Sequence, residues 1–318
     1  MKKLISIIVP AYNEELVVHL FYEKISEVLD SIEDYRSEIV FIDDGSIDKT
    51  RTIIRELASK DKRVSLIALS RNFGKEAAMS AGLDHVKGDA VVIFDIDLQD
   101  PPELLFDFIQ HWEAGFDNVF AKRAHRRGET LIKKITAAGF YKVVSLVSSF
   151  EVPRNTGDCR LLSRRAVDAI VQLREHHRFM KGLFAWIGYP SIEVEYNRDP
   201  RASGETKFNY WKLWNFALEG LTSFTTAPLR MATYIGGVIF LLASSFAIWV
   251  ICKTLIWGDP VQGFPTLMVM ILFFGGIQLF FIGVLGEYLG RIFNESKQRP
   301  LYFIEEYIVS KGSLTNEH

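Results

Sequence analysis

Two uninterrupted apolar spans near the C-terminus constrain the fold of this chain more than any other feature. They run from Met231 to Cys252 and from Phe264 to Gly286, and neither contains Asp, Glu, Lys or Arg. At about 1.5 Å of rise per helical residue, each span exceeds the roughly 30 Å hydrocarbon core of a bilayer. The spans therefore predict two transmembrane helices. The alternative is a pair of helices buried inside a globular core.

The charges around the two spans predict an orientation in the membrane. Basic residues flank the pair, with Arg230 before it and Arg291, Lys297 and Arg299 after it. The segment between the spans, 253–263, holds one Lys and one Asp. Because cytoplasmic flanks are enriched in Lys and Arg, we expect a multi-pass protein of the cell (inner) membrane. Both termini, and the domain that precedes the spans, would then face the cytoplasm.

The rest of the chain alternates short apolar runs with amphipathic helical patterns. The strand-like runs are Leu4 to Pro10, Glu38 to Ile42, Val64 to Leu69, Ala90 to Phe94 and Asn118 to Phe120. This alternation is typical of βαβ units in an α/β, Rossmann-like domain with a mostly parallel sheet. We expect this domain to cover residues 1–207.

An aromatic-rich segment joins this domain to the apolar spans. Because Tyr and Trp favour the membrane interface, 208–229 is predicted to lie on the bilayer as an amphipathic helix. The alternative for this segment is an ordinary core helix. A two-helix anchor over 230–290 and a cytoplasmic tail over 291–318 complete the expected organisation.

Polar clusters follow three of the predicted strands. They are Pro10 to Glu14, Asp43 to Ser46 and Asp95 to Asp100. Ligands of open α/β sheets bind beyond the carboxyl ends of the strands. The three clusters are therefore expected to form one site.

The third cluster has the composition of a metal site. Asp95, Asp97 and Gln99 occupy alternate positions, so their side chains share a face if the strand stays extended. Two carboxylates about 4 Å apart repel by roughly 4 kcal/mol at an effective dielectric constant near 20. A divalent cation would relieve that repulsion, and carboxylate and amide oxygens suit Mg²⁺ or Mn²⁺. The three residues are candidate ligands of a cation that holds a diphosphate, although a short Asp-x-Asp pattern also occurs in solvated turns.

Two other clusters each allow a structural and a functional interpretation. Asp43 to Ser46 is either a tight turn with a helix cap at Asp48, or it directs a carboxylate, that of Asp44, to a nucleobase or ribose. Asn72 to Lys75 is either a plain helix start, or it brings Lys75 and a helix N-terminus to a donor phosphate.

Composition gives no indication of nucleic-acid binding or of a disulfide. The formal net charge of −2 gives no whole-chain indication of nucleic-acid binding. Cys159 and Cys252 are the two cysteines, and the second falls inside a predicted span. A disulfide between them is therefore not expected.

The order and spacing of four motifs resemble those of family 2 glycosyltransferases with the GT-A fold. The motifs are Ile8 to Glu14, Asp43 to Ser46, Arg71 to Lys75 and Asp95 to Glu103. With Arg201 to Lys207 and two C-terminal spans, the chain is similar to the polyisoprenyl-phosphate glycosyltransferases. Its resemblance is closest to the bactoprenol (undecaprenyl-phosphate) glucosyltransferase branch, relatives of dolichol-phosphate mannose synthase. The Gln-x-x-Arg-Trp motif of processive polysaccharide synthases is not present.

The resemblance implies an inverting transfer of sugar from a nucleotide diphosphate donor to the phosphate of a polyprenyl lipid. By similarity, four residues would hold the nucleoside: Pro10, Tyr12, Glu14 and Asp44. Asp95, Asp97 and Gln99 would hold Mg²⁺ or Mn²⁺ and the diphosphate. Asp97 and Asp158 are the candidate catalytic residues, and Asp158 is the candidate base near the acceptor.

Phosphate chemistry weakens the need for such a base. A lipid phosphate is already mostly ionised at neutral pH, because its second pKa is near 6. Asp158 could instead orient the sugar, accept a residual proton, or serve as a structural turn residue.

Basic residues could receive the negatively charged acceptor. The candidates for the lipid phosphate are Arg123, Arg127, Lys133 and Lys134. The alternative is that they are solvated or bind anionic headgroups. Arg201 and Lys207 belong to a polar loop, 197–207, that could close over the donor diphosphate and the incoming phosphate, since Arg suits such oxygens.

The sequence leaves the donor and the assembly open. We favour UDP-glucose as the donor, with GDP-mannose or a modified UDP-sugar as the alternative. A different class of function, a non-catalytic membrane-anchored nucleotide-sensing scaffold, is disfavoured by the intact acidic cluster. A transport path is disfavoured because spans without internal charge make poor pore walls. Small residues at Gly275, Gly276, Gly283 and Gly286 predict a homo-oligomer without indicating its copy number.

Overall fold

The chain divides into two compact units in the computed structural model. One unit comprises Met1–Ala217 and Pro300–His318, and the other comprises Leu218–Arg299. The structure describes residues 2–123, 156–176, 178–196 and 263–309, together with scattered residues between 234 and 256.

An eight-stranded sheet forms the framework of the first unit. In chain order its strands are β1 (Leu4–Ala11), β2 (Arg36–Asp43), β3 (Val64–Leu69), β4 (Ala90–Ile93), β5 (Asn118–Arg123), β6 (Thr156–Ser163), β7 (Ser191–Tyr196) and β8 (Ile304–Ile308). Their order across the sheet is β7-β5-β6-β4-β1-β2-β3-β8. The central strands β4, β1, β2 and β3 are parallel to their neighbours within that group, whereas β6 and β8 run antiparallel to theirs. The expected α/β class with a mostly parallel sheet is confirmed.

Helices alternate with the strands as predicted. The described helices are α1 (Val18–Asp30), α2 (Thr50–Lys60), α3 (Lys75–His85), α4 (Leu104–Glu113), α5 (Arg164–Gln172), α6 (Met180–Trp186) and α7 (Phe264–Ser296). The helices α1 to α4 each connect two successive strands of the sheet that run in the same direction. This is the pattern that right-handed βαβ crossovers require.

Close packing on both faces of β1 fixes the position of the central strands. On one face, Phe21 of α1 packs with its ring centroid 6.1 Å from that of Phe41 and 6.5 Å from that of Phe94. On the other face, α3 approaches so closely that a Cβ on Gly82 would lie 2.6 Å from Cγ2 of Ile8. Only glycine allows this approach. The carboxyl ends of these strands are therefore held on a rigid base.

The C-terminal segment corrects the sequence interpretation, which treated 291–318 as a tail. Within it, β8 pairs antiparallel with β3 as the edge strand of the sheet. Arg51 contacts Glu305 at 2.6 Å, and Arg55 donates two hydrogen bonds to Glu306 at 2.6 and 3.0 Å. A five-residue strand with two adjacent Glu gives little apolar signal. Its place is set by the exposed edge of β3 and by basic residues on α2.

The second unit contains the predicted second span. That span lies within α7, in which Phe273–Ser296 is long and apolar enough to cross a membrane by length and composition. Its mean hydropathy is 1.4. Large apolar side chains of α7 are exposed, as at Leu279 with 71% exposure, so α7 is not a buried core helix. The residues described between 234 and 256 are helical.

Two predictions concern the membrane region. The segment 208–229 lies outside the described residues, and the pair of transmembrane helices remains a prediction. Cys252, within the first predicted span, is a free thiol, as is the buried Cys159.

Candidate active site at the strand ends

The three polar clusters meet at one edge of the sheet. Ala11 at the end of β1 pairs with Asp43 at the end of β2, and Ile8 of β1 pairs with Ile93 at the end of β4. The residues that follow these strands therefore emerge side by side. The predicted convergence of the clusters is confirmed.

Hydrogen bonds interlock the loops after β1 and β2. The backbone N–H of Asn13 donates to Ser46 Oγ at 3.0 Å, and the N–H of Ile47 donates to Asn13 Oδ1 at 3.0 Å. Asn13 takes a left-handed conformation, with φ of 54°, that asparagine tolerates better than most residues. The N–H of Glu14 donates to Thr50 Oγ1 at 2.8 Å. Tyr12 remains 38% exposed beside this network, and Pro10 is buried within β1.

Asp44 joins the second cluster to the loop that precedes α3. Its two carboxylate oxygens accept hydrogen bonds from the N–H groups of Phe73 and Gly74 at 2.8 and 2.9 Å. Burial raises the pKa of Asp44, and the two backbone donors oppose that rise. Within the cluster, the N–H of Ser46 donates to Asp43 Oδ1 at 3.1 Å, as in a tight turn. The N-cap of α2 is Lys49 rather than the expected Asp48. A carboxylate has about four acceptor positions, so contact with a nucleoside stays a prediction.

Gly45 allows the close approach of these two loops. Its φ is 69°, and a Cβ there would lie 2.4 Å from the backbone carbonyl carbon of Arg71. No L side chain fits such a space without movement of the backbone. Asp44 and Gly45 together fix the shape of the Arg71–Lys75 loop.

Lys75 lies between two carboxylates. Its Nζ atom is 2.5 Å from Oδ1 of Asp95 and 2.5 Å from Oδ2 of Asp158. Burial disfavours the ammonium charge, but the attraction of Asp95 and Asp158 outweighs burial and raises the pKa of Lys75. Lys75 is also the first residue of α3, as the helix-start interpretation expected. Its side chain is 44% exposed, so its charge remains accessible to a ligand.

Asp158 is held as an anion. Burial alone would raise its pKa, but the charges of Lys75 and Lys181 reverse that effect and lower the pKa below its usual range. Lys181 Nζ lies 3.9 Å from the carboxylate. A carboxylate with a depressed pKa is a weak proton acceptor at neutral pH. The geometry thus favours an orienting or electrostatic role over that of a strong base.

The candidate metal ligands lie on a turn rather than on an extended strand. Regular β4 ends at Ile93, and Leu98 adopts a left-handed φ of 55°. The expected alternation of side chains along an extended strand is therefore wrong beyond Phe94. A buried Leu in this conformation is strained, which is typical of functional sites. The turn is tightened by Gln99 N–H, which donates to Asp97 Oδ1 at 3.3 Å.

The donor atoms present fit a divalent cation. Asp95 and Asp97 supply carboxylate oxygens, which Mg²⁺ and Mn²⁺ prefer. Gln99 Oε1 is buried and accepts no hydrogen bond within the part of the chain that the structure describes. Among those residues no group of three or more His, Cys, Asp or Glu is arranged to hold a metal ion by itself. A cation here would therefore depend on two carboxylates, the amide of Gln99 and ligand oxygens.

Several predicted site residues cannot be placed. Arg127, Lys133, Lys134, Arg201 and Lys207 lie outside the described residues. Arg123 is the last residue of β5, but its side chain is also outside the description. Their predicted contacts with phosphates remain predictions.

Sequence reasoning missed three charged residues next to Asp158. Arg160 is two positions along β6, so the alternation of a strand could have placed it on the same face. Glu76 follows Lys75, and its Oε2 accepts a hydrogen bond from the N–H of Met180 at 3.1 Å. Burial, reinforced by the negative charge of Asp158, raises the pKa of Glu76 to about 7. Lys181 comes from α6, and no sequence pattern pointed to it.

Two family models match the chain. Residues 6–171 match the model described as glycosyl transferase family 2, and residues 227–292 match the model described as the GtrB C-terminal hairpin. The first match contains the clusters after β1, β2 and β4, together with Lys75 and Asp158. The GT-A fold expected from the motifs is confirmed.

Relatives match along nearly the entire chain. A bactoprenol glucosyl transferase of Shigella phage SfV is 49% identical over 95% of this chain and 98% of its own length. An uncharacterized glycosyltransferase of Synechocystis is 48% identical over 95% of each chain. A solved mannosyl-3-phosphoglycerate synthase from Rubrobacter xylanophilus superposes with a TM-score of 0.49 at 17% identity, covering 74% of this chain and 75% of its own. On the family match and this extent of identity, the chain belongs to glycosyltransferase family 2.

Proposed function

We propose that this chain transfers a sugar, with inversion, from a nucleotide diphosphate donor to the phosphate of a polyprenyl lipid. The favoured donor is UDP-glucose. The observation that carries the proposal is the ion-pair group Lys75, Asp95 and Asp158 at the strand ends. It occurs in a chain that is 49% identical to a bactoprenol glucosyl transferase over almost its full length.

The charges of the site suit two phosphorylated substrates. Asp95, Asp97 and Gln99 would hold Mg²⁺ or Mn²⁺, which when bound would neutralise the diphosphate and stabilise the negative charge of the leaving group. Lys75 adds a permanent positive charge, because its pKa is raised by two carboxylates. An ammonium on a flexible side chain can exchange a carboxylate partner for a phosphate oxygen.

The reaction needs little proton transfer. An oxygen of the acceptor phosphate attacks the anomeric carbon, the bond from that carbon to the diphosphate breaks, and the nucleoside diphosphate leaves. The attacking oxygen is already ionised, since the second pKa of a phosphate monoester is near 6. Asp158, whose pKa is depressed, would therefore orient the sugar and stabilise positive charge that develops at the anomeric carbon.

The membrane is the natural location of the acceptor. The exposed apolar side chains of α7 and the match of 227–292 to a C-terminal hairpin support an anchor of two transmembrane helices over 230–290. The catalytic domain, 1–207, and both termini would lie on the cytoplasmic side of the cell membrane, with 208–229 at the interface. A homo-oligomer remains part of the proposal through the glycines of α7.

Transfer by the purified full-length protein tests the proposal. In detergent or nanodiscs, it should move labelled glucose from UDP-glucose to polyprenyl phosphate with Mg²⁺ or Mn²⁺ present. A chelator should stop the reaction, and Asp97→Ala should lower turnover by about 10³-fold or more, as expected for the loss of a metal ligand at the reacting diphosphate. Full turnover in chelator would contradict metal dependence.

A panel of donors distinguishes the alternatives. UDP-glucose, UDP-N-acetylglucosamine and GDP-mannose should be compared with one acceptor. A higher kcat/KM with GDP-mannose would reassign the donor while leaving the reaction intact. Nucleotide binding by calorimetry without turnover on any donor would favour the sensing scaffold.

A further inference from the structure

A pocket of about 410 Å³ lies beside Asp158, on the face of the sheet covered by α6. Its walls come from β5, β6, β7 and α6. The polar and apolar side chains on this face include Asn118, Phe120, Arg160, Lys181, Ala185 and Glu193. The carboxylate of Glu193 is paired with Lys122 at 2.6 Å. The opposite face of these strands, including Val119 and Leu161, packs in the main core. The pocket is therefore a feature of one face of the sheet.

Arg160 brings a buried positive charge to this pocket. It is only 4% exposed, and its guanidinium lies 3.8 Å from the centroid of the Phe184 ring. Its Nε and Nη2 donate to the backbone carbonyls of Asp158 and Gly157 at 3.3 and 3.2 Å. No carboxylate forms an ion pair with it among the residues described.

Burial is unfavourable for the Arg160 charge, and the nearby charges of Asp158 and Glu76 offset this effect only in part. Burial lowers the pKa of Arg160 to about 10. A buried cation normally requires an anion and hydrogen-bond acceptors around it. An anionic ligand in the pocket would supply both.

Two lysines lie at the same end of the pocket as Arg160. Lys75 is paired with Asp95 and Asp158, and Lys181 lies 3.9 Å from Asp158. Arg160 adds a third positive charge at this end. Glu76 adds at most a partial negative charge at neutral pH, because its pKa is about 7. The cationic end of the pocket thus favours an anion.

On the opposite wall of the pocket, a buried polar atom lacks a hydrogen-bond partner among the described residues. Asn118 Nδ2 donates to Ser191 Oγ at 3.2 Å, whereas its buried Oδ1 accepts no hydrogen bond from any residue that the structure describes. A ligand hydroxyl or a water would satisfy this oxygen. The apolar side chains of Phe120 and Ala185 complete the lining, whereas Ile192, in register with Val119, directs its side chain into the main core. The pocket therefore combines an anion-binding end with apolar walls.

We propose that Arg160 and Lys181 bind the phosphate monoester of the lipid acceptor, and that Phe120 and Ala185 contact the first part of its hydrocarbon chain. The inference rests on the proposed function and deepens it by assigning the acceptor to a site within the folded sheet. A phosphate at Lys181 would stand next to Asp158, where the anomeric carbon of the donor is expected. Arg suits phosphate because its donors match two oxygens at once.

Lys181→Gln tests the assignment with little risk to folding, because Lys181 is half-buried at the protein surface. In full-length protein in nanodiscs, it should raise the KM for polyprenyl phosphate by about tenfold, the expected effect of losing one charge-assisted hydrogen bond. The KM for UDP-glucose and the affinity for UDP should stay within about twofold of the wild-type values. Lys60→Gln, at an exposed lysine of α2, is the matched control.

Filling the pocket gives an independent test. Ala185→Leu should also raise the acceptor KM, whereas Ala114→Leu, at an exposed position after α4, should not. An unchanged acceptor KM in both pocket variants would overturn the proposal, as would a loss of UDP affinity, which would assign the pocket to the donor diphosphate.

Direct binding separates failure of this inference from failure of the proposed function. In nanodiscs, the wild-type protein should capture labelled polyprenyl phosphate even when millimolar inorganic phosphate is present. Lys181→Gln should weaken this capture. Polyprenol without phosphate should bind equally weakly to both proteins. If the wild type binds the lipid phosphate in a Lys181-dependent manner without turnover, the pocket assignment stands and the transferase proposal fails. Equal binding of lipid phosphate and polyprenol would overturn the pocket assignment.

Discussion

Two carboxylates at the same edge of the sheet, those of Asp44 and Asp158, are held in different ways. Asp44 accepts hydrogen bonds from two backbone N–H groups, of Phe73 and Gly74. Asp158 is paired with the side-chain ammonium of Lys75, with Lys181 nearby. Backbone donors cannot move without moving the chain, whereas a lysine side chain can rotate towards another anion. The first carboxylate therefore fixes the shape of a loop, and the second belongs to a charge cluster that a ligand can rearrange.

The electrostatics of the two groups follow this difference. Asp44 is 3% exposed, and burial raises its pKa because its partners are uncharged donors. For Asp158, the nearby lysine charges overcome burial and lower the pKa. The same residue type therefore has uncharged backbone partners in one region and charged side-chain partners in the other. The predictions below test that distinction.

The largest expected effect is on turnover. Asp158→Asn removes the charge that faces Lys75 and Lys181 while keeping the size of the side chain. We expect kcat to fall by about 10³-fold, equivalent to about 4 kcal/mol at 1.36 kcal/mol per tenfold change. The melting temperature should also fall, because the ion pair with Lys75 is lost. Turnover with UDP-glucose and a thermal melt would measure the two effects.

Asp44→Asn is the matched control for that substitution. Its amide replaces one acceptor oxygen with a donor that faces a backbone N–H, so it should lower stability by about 1–3 kcal/mol. The proposed difference between the two carboxylates would be contradicted if Asp158→Asn unfolded the protein and Asp44→Asn abolished turnover without loss of stability.

Gly45→Ala should cause the next largest loss, and it should be a loss of stability. The new Cβ would meet the backbone of Arg71 at 2.4 Å, and the φ of 69° is strained for alanine. Strain and overpacking each cost about 1–3 kcal/mol. A combined loss of about 3 kcal/mol would lower the melting temperature by roughly 6–12 °C for a domain of this size.

Gly115→Ala separates the two causes in that experiment. Its φ of 97° is also positive, but nothing lies within 4 Å of an added Cβ. It should therefore show strain alone and a smaller shift in melting temperature. Equal shifts in the two variants would indicate that the contact between the Asp44 and Arg71 loops adds nothing to stability.

Glu76 predicts a smaller, pH-dependent effect within the charge cluster. Burial and Asp158 raise its pKa from 4.5 to about 7, so between these values the folded state holds more protons than the unfolded state. Stability should therefore fall as pH rises from about 4.5 to about 7, by roughly 2 kcal/mol after allowance for solvent screening at about 1.4 kcal/mol per unit. Unfolding by urea at a series of pH values measures the slope.

Glu76→Gln should flatten that slope. Glutamine has a similar size and cannot be ionised, while its side-chain oxygen can still accept from the N–H of Met180. Glu103→Gln, at an exposed position before α4, is a control that should leave the slope unchanged. A slope that persists in Glu76→Gln would show that another group titrates.

The smallest expected effect concerns the edge strand, away from both carboxylates. Arg55→Gln removes a two-bond contact with Glu306 that is largely exposed to solvent. Such pairs contribute about 0.2–1 kcal/mol, and less at high salt. Arg51→Gln should cost more, because it leaves the fully buried carboxylate of Asp43 without its ionic partner. Equal losses measured by urea unfolding would contradict this ranking.

Much of the fold was predictable because it depends on local patterns. Strand β3 was predicted with its observed bounds, Val64–Leu69, and β1 within one residue of its end. Both are buried on two faces, so their sequences are continuous apolar runs. Strand β8 was not predicted, since its two glutamates find their partners on a helix more than two hundred residues earlier.

The candidate site also contains residues that the sequence predicted and residues that it did not. Asp95, Asp97 and Lys75 were identified from motifs close to strand ends. The turn at Leu98 was missed, because nothing in Asp-Leu-Gln requires a left-handed conformation at its centre. Lys181 was also missed, because it reaches Asp158 from a helix that the sequence does not connect with β6.

By itself, the sequence determined the α/β class, the polar clusters at the strand ends, the apolar spans and the family resemblance. Each of these is a periodicity or a motif within a short stretch of chain. Only the tertiary structure decided that Asp44 holds a loop, that Lys75 joins Asp95 to Asp158, and that Arg160 faces a pocket. These depend on which distant segments pack together, and on the burial and charge that this packing imposes on side chains of the same chemical type.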